Sequence, residues 1–452
     1  MPSCGALTYG SERPAPEVEA MSTPSKRKSP MIFWCMGPRF RRHVICSLRE
    51  NHAGMRRHAF LVLAGSAVEA LSTGGLAAAA RGEERFDYPS QIRVRLFAGF
   101  DVVRVDVAGD ADLDVSAAGL RFSSRRMSVD GPNRSLSSDA GAVGLPADPL
   151  VVMSPQAFAV TATFRSGNSV ARRYPAALRI SLASDHFTIV NLVDVETYVA
   201  ATLSAEVSSG WPAEALRAHA IAARTYPMRR RAVVRSRDYD VNDDTSSQVY
   251  RGVDAIAAPF LSAAQSTSGQ ILFSAATPAS VLYSSACGGH TAAVAEIGGQ
   301  PVDYLNGIPD VDARGAAYCS HSPYFHWRNS LAASSLARAL DASAGDIADV
   351  SVSERWPDGR VKTLTVMRTD GSRKLVNGRT FYSRALATLG YKVIPSTLFD
   401  VARAGEAFVI SGHGVGHGVG MCQWGARGRA EAGMDAAQIL AAYFPGTTLR
   451  TA

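Results

Sequence analysis

Cysteine and lysine are scarce in this chain of 452 residues. Six cysteines, at positions 4, 35, 46, 287, 319 and 422, are too few for a disulfide-dense secreted scaffold. Five lysines stand beside 42 arginines; with abundant alanine this tilt fits a GC-rich coding sequence and assigns no function. No apolar run reaches the roughly 18–20 residues of a membrane-spanning helix, so no integral span is expected in the mature chain. Internal repeats are missing too. What is present is ordinary globular composition, 46% hydrophobic and 19% charged, long enough for two or three domains of roughly 150 residues each.

The net charge of +7 would suggest a polyanionic partner if it were spread over the fold. The first 80 residues hold ten of the bases against five acids, and the remaining 372 hold 37 against 35. A near-neutral body argues against nucleic acid. The excess sits in a leader: Met55-Arg-Arg-His58 followed by Ala59-Phe-Leu-Val-Leu-Ala-Gly65 has the basic and apolar regions of a secretory signal peptide, with a small-residue cleavage site at Ala77 to Ala80. Residues 55–80 are read as a signal peptide and 1–54 as a disordered or non-mature extension, which makes the protein exported to the periplasm or cell wall. The competing reading is a basic tail on a cytoplasmic protein.

From Ile92 the pattern alternates with period two, through Val103–Val107, Phe158–Phe164, Leu178–Leu182 and Phe187–Leu192, which predicts a β-rich region over 85–174 and beyond. Helical spacing begins at Val195 and breaks at Ser204, which leaves Glu206 in a polar loop. A second helix starts at Trp211-Pro212, with Glu214 near its positive end; Pro227 is expected to bend or end it near Tyr226. Further on, helices are expected near Pro259 to Thr267, over Ser335 to Ala344, Gln423 to Glu431 and Asp435 to Tyr443. Strands are expected at Gln270–Phe273 and Ser280–Ser284, and a hairpin at Asp349–Ser353 and Thr363–Met367. The fold class is α+β, a β-rich N-terminal region followed by a mixed helix and strand domain.

Three places could carry chemistry. The stretch His413-Gly-Val-Gly-His417-Gly-Val-Gly420 lets backbone approach another surface closely, but its spacing matches neither a dinucleotide fingerprint nor a phosphate loop. Cys422 follows it at a helix start, where a lowered pKa and a histidine base would make a cysteine hydrolase; the plainer reading is a buried small hydrophobe. Glu206 lies beside Trp211, whose face suits a sugar ring, and burial would raise its pKa enough to donate a proton to a glycosidic oxygen. With no second carboxylate at fixed spacing, a two-acid glycosidase is not supported. Cys287 and Cys319 are disulfide candidates, against free buried thiols or a zinc site completed by His290 and His321.

The run Val195-Glu-Thr-Tyr-Val, Ser204-Ala-Glu206-Val and Trp211-Pro-Ala-Glu-Ala-Leu-Arg-Ala-His-Ala-Ile-Ala-Ala-Arg-Thr-Tyr226 closely resembles the signature of the stage II sporulation protein D and amidase-enhancer family. Three further blocks agree in order: Gln248-Val-Tyr-Arg-Gly252, Tyr283-Ser-Ser-Ala-Cys-Gly-Gly-His-Thr291, and Gly414–Ala426 with Tyr443-Phe-Pro-Gly-Thr447. The resemblance spans about 175–450, with a hairpin-containing subdomain at about 330–405. It implies either a peptidoglycan lytic transglycosylase, cleaving between N-acetylmuramic acid and N-acetylglucosamine with a 1,6-anhydro end, or a non-catalytic enhancer of an N-acetylmuramoyl-L-alanine amidase.

By the same resemblance Glu206 is the catalytic acid, and Gln248, Tyr283, His417 and Gln423 line or support a glycan cleft; Trp211, Arg224 and His290 are counted with them as candidate substrate-binding residues. The implied partners are glycan strands and a cell-wall amidase, with no cofactor. Some members carry a His-Cys pair before the Gln-x-Tyr block that helps bind zinc; Ser246-Ser247 stand there, so no metal is carried over. His219 replaces a usual glutamine, Pro227 is unexpected, and Cys422 stands where serine is common.

Overall fold

The computed structural model describes residues 86–183, 186–234 and 238–452. The expected extension over 1–54 and the signal peptide over 55–80 lie outside these. Among the described residues seven α-helices and several sheets form an α+β fold, and no helix is long and apolar enough to cross a membrane.

The period-two pattern gives one large sheet. Its main path runs Val241–Asn242, Gln91–Leu96, His186–Asp194, Ala177–Ala183, Leu150–Met153, Val102–Ala117, Leu120–Asp130, Ser135–Ser138 and Gly141–Gly144. In Phe158–Phe164 the alternate residues Phe158, Val160, Ala162 and Phe164 are all buried, as an alternating strand with one wet face requires. The long strand Val102–Ala117 shifts register between Ala108 and Leu113. Its first half therefore pairs with Phe158–Phe164 and its second with Leu150–Met153.

The sheet feeds directly into the helices. Asp194 ends its strand and caps α1 (Val195–Glu206), its carboxylate accepting from Thr197 N at 2.9 Å, which satisfies one of the free donors of the first turn. Glu206 is thus the last residue of α1 and not part of a loop. Ser204 stays within the helix with its hydroxyl bonded back to Ala201 O, a partner it reaches without leaving helical backbone.

Helix α2 (Ala213–Val233) runs through Pro227, past the expected end at Tyr226. Proline removes one backbone bond at a cost of about 3 kcal/mol, but here Met228 is buried and Arg230 Nε reaches Asp240 O at 3.0 Å, so tertiary contacts outweigh propensity. Its alanines let α1, α3 (Ala258–Ser266) and later helices pack closely around it.

A second core, separate from the first, is built by Leu336, Leu364, Phe381, Phe399, Phe408 and Ile410 among others. Two three-stranded sheets enclose it, with α4 (Ala333–Leu340) and α5 (Gly378–Leu389). The hairpin forms as Ile347–Arg355 with Val361–Arg368, while the helix expected over Ser335 to Ala344 is shorter and ends where Asp341 turns left-handed.

The chain returns through the glycine-rich stretch into α6 (Gln423–Glu431) and α7 (Ala436–Tyr443). Gly414, Gly416, Gly418 and Gly420 all have positive φ, and a Cβ on Gly420 would sit 2.1 Å from Leu282 O. Only glycine fits this approach. It lets Met421–Cys422 pair in parallel with Tyr283–Ser284, the part of the expected Ser280–Ser284 strand that forms.

Candidate functional site

The parallel pair Tyr283–Ser284 and Met421–Cys422 is what brings distant residues to the end of α1. Gln423, first residue of α6, directs Nε2 at Glu206 Oε2 (3.3 Å), and Val249 N approaches Oε1 at 3.4 Å. Behind them Tyr198 OH donates to Gln248 Oε1 (2.8 Å), and Gln248 Nε2 donates to Tyr283 OH (2.8 Å). Glu206 keeps part of its side chain open to solvent, yet the protein atoms packed round its carboxyl hold its pKa above the ordinary 4.5. Desolvation dominates, and the donors Gln423 and Val249 N, with the positive charge of Arg251, oppose it. A carboxyl so placed is held protonated to higher pH than in water and is close to a donor that can steady either form.

His417 joins the same neighbourhood. Its Nδ1 accepts from Val419 N at 3.0 Å, and burial, with Arg360 nearby, lowers its pKa to about 4. It is therefore a neutral imidazole at physiological pH, engaged both by Val419 N and by the Tyr283 backbone.

Other expected site residues are elsewhere. Arg224 is fully buried, and its donors are taken by Glu196, Thr267, Ala264 O and Gln270 O; it holds α1, α2 and α3 together and cannot reach a ligand. Trp211 is 8% exposed and packs edge-on against His219 and Trp424 at 5.7 and 5.3 Å, with Arg427 over its ring. Its ring is thus spent on packing and does not offer the open platform expected for a sugar. His290 turns Nδ1 to Thr291 O, and its own carbonyl accepts from Arg360. His413 meets His326 edge-to-face, with ring centres 4.6 Å apart.

Cys422 is buried and caps α6, its sulfur accepting from Gly425 N at 3.2 Å. A thiol with no exposed surface is a poor nucleophile toward a polymer, which removes the geometric basis of the cysteine-hydrolase reading. The expected Cys287–Cys319 disulfide is not formed: all three described cysteines are free, and these two sulfurs lie 3.8 Å apart, against about 2.05 Å for a bond. Ser246 and Ser247 are engaged with Asp244 and Asn242 N in a turn, and hydroxyls so used are poor zinc ligands.

Arg251 was not singled out by sequence reasoning, although it stands within the Gln248–Gly252 block. Its contribution is electrostatic and crosses from loop to helix end, which spacing along the chain does not reveal.

A family model described as Stage II sporulation protein matches residues 183–273. An amidase enhancer of Bacillus subtilis is 30% identical over 284 residues, 54% of this chain and 39% of that protein, and the stage II sporulation protein D of the same species is 25% identical over 280 residues, 58% of this chain and 76% of that one. The chain belongs to the stage II sporulation protein D and amidase-enhancer family. The family match covers α1, α2 and α3, and so includes Glu206. A second model, described as a domain of unknown function, matches 313–420, the stretch that carries the second core. An uncharacterized protein of Brachyspira hyodysenteriae is 30% identical over 282 residues, 61% of this chain and 72% of that one.

Two consequences of the geometry are measurable. Tyr283→Phe removes the oxygen that accepts from Gln248 and leaves a buried amide donor unmatched, so stability should fall by about 1–3 kcal/mol; urea unfolding at one pH reads it. Glu206 carries a raised pKa, so the folded state loses stability as pH climbs above 4.5 and the carboxyl ionises in the unfolded chain first. Glu206→Gln should then melt higher than wild type at pH 7–8, with the gap closing toward pH 4. A gap independent of pH sinks this account.

Proposed function

We propose that this protein is a cell-wall lytic transglycosylase with Glu206 as its single acid and base. The observation that carries the reading is the carboxyl of Glu206, desolvated yet partly accessible, with Gln423 Nε2 directed at it. In the protonated form it gives its proton to the glycosidic oxygen as the bond from C1 of N-acetylmuramic acid breaks. The resulting carboxylate then takes the proton of that sugar's own C6 hydroxyl, whose oxygen bonds to C1. The ring closes as a 1,6-anhydro end without water, and Glu206 is protonated again. One carboxyl suffices because its two tasks are sequential. Gln423 and the charge of Arg251 favour the anionic form between them, while burial favours the acid.

Gln248 and Tyr283 act as support in this scheme, since their polar atoms bond to each other and to Tyr198. Export to the wall follows from the substrate and from the basic leader. A second reading is favoured by the likeness to an amidase enhancer: the same surface binds glycan and raises the rate of a wall amidase without cutting the strand itself.

Incubating the purified protein with sacculi and analysing the soluble products by mass spectrometry separates the two. Anhydro-ended muropeptides are expected. Intact glycan, together with faster stem-peptide release when an amidase is added, refutes the enzyme in favour of the enhancer.

A further inference from the structure

Beyond the carboxyl site lies a cluster that the proposed chemistry does not use. Cys287, Cys319, Cys422 and Asp310 are all buried, and their ligand atoms lie within 4.8 Å of one another. They come from three segments far apart in sequence: the turn after Tyr283–Ser284, the loop before the second core, and the start of α6. We propose that these four side chains form a closed structural site for a thiophilic divalent cation of the zinc class.

The spacing suits such an ion. Sulfurs about 2.3 Å from a tetrahedral centre stand about 3.8 Å apart, and Cys287 and Cys319 are separated by 3.8 Å. Asp310 Oδ2 is 3.2 Å from Cys287 Sγ, near the separation expected of two ligands on one metal. The surroundings are arranged for thiolates. Cys422 Sγ accepts from Cys287 N and Gly425 N, each at 3.2 Å, and Cys319 receives the N–H groups of Gly288 and Gly289. Such donors compensate sulfur-centred negative charge.

Asp310 is oriented from its other oxygen. Oδ1 accepts from Arg429 Nε at 3.1 Å and Tyr443 OH at 2.8 Å, which leaves Oδ2 turned to the sulfurs. A Cβ on residue 425 would fall 2.1 Å from that Oδ2, so Gly425 makes room for the carboxylate. Three thiolates and one carboxylate around a dication carry surplus negative charge, which Arg429 offsets. Each thiol releases its proton to solvent as the ion binds. With four buried protein ligands no position is left for a reacting water, so the role is structural.

The site differs from the cysteine and histidine set suggested by sequence. His321 is exposed near Glu431, and His290 faces Thr291 O; neither belongs to the cluster. Its placement has a consequence for the carboxyl site. Cys422 immediately precedes Gln423, so an ion here fixes the start of α6 and with it the amide that meets Glu206.

The test uses the full chain with Cys4, Cys35 and Cys46 replaced by serine, which leaves only the three site thiols. Purified from zinc-supplemented medium and dialysed, it should contain about one zinc per chain by elemental analysis. Titrating the metal-stripped protein with cobalt(II) should give a thiolate-to-cobalt charge-transfer band and the strong visible absorption of a tetrahedral ion; this measurement needs no change at the site. Cys319→Ala should abolish the band, and the His290→Ala, His321→Ala double variant should keep both band and stoichiometry. Less than a tenth of an equivalent of zinc with no cobalt band overturns the site, as does a Cys287–Cys319 disulfide in the intact mass. Loss of metal in the histidine variant transfers the ligands to the other set and also refutes it.

Discussion

Glu206→Gln should lower release of anhydro-muropeptides from sacculi by about a thousandfold or more. A positioned acid or base contributes roughly 10²–10⁴ in rate, and here one group is asked to do both tasks in turn. Glutamine keeps the shape of the side chain and can still meet Gln423, so binding to insoluble peptidoglycan should survive within a few fold. The contrast between lost turnover and retained binding is what the enzyme reading requires. The pH profile supplies an independent check: with the Glu206 pKa raised by desolvation, the rate should fall on the alkaline side as the proton needed for the leaving oxygen is lost. A variant that releases as much anhydro product as wild type ends the proposal, whatever its stability.

Arg360→Ala should destabilise the fold by about 3–5 kcal/mol. Arg360 sits in the hairpin turn of the second core, is 2% exposed, and forms a buried ion pair with Asp358. It also donates to Cys287 O at 2.8 Å and His290 O at 3.2 Å, which belong to the first core's side of the molecule. Removing the guanidinium strands Asp358 beside Glu296, whose own pKa burial has already raised to about 7. Both carboxyls then lose the guanidinium that offsets their charge. Denaturant unfolding measures the loss, and the double variant Arg360→Ala, Asp358→Ala should recover part of it because the unpaired charge is gone. If the double variant is no more stable than the single one, the cost comes from the lost carbonyl contacts and not from the stranded charge.

Much of the architecture is legible in local pattern. Phe158–Phe164 and Gln423–Glu431 form with the expected limits, because alternation and capping act over a few residues and need no knowledge of the rest. Where the reading fails, longer-range contacts win. Pro227 does not end α2, since Met228 and Arg230 are held by the body of the protein. Glu206 moves from loop to helix end on a local contact instead: the hydroxyl of Ser204 finds a carbonyl one turn back.

The candidate site divides in the same way. From the sequence alone come the α+β class, the family likeness and the choice of Glu206, because those blocks are short and ordered along the chain. Only the tertiary structure shows that Arg224 is a fully engaged core ion, that Trp211 is packed against a second tryptophan, and that the three scarce cysteines outside the leader meet around Asp310. Burial, hydrogen-bond saturation and the convergence of residues 287, 310, 319 and 422 are properties of packing. They depend on segments more than a hundred residues apart being brought within a few ångströms, and spacing along the chain carries no record of that.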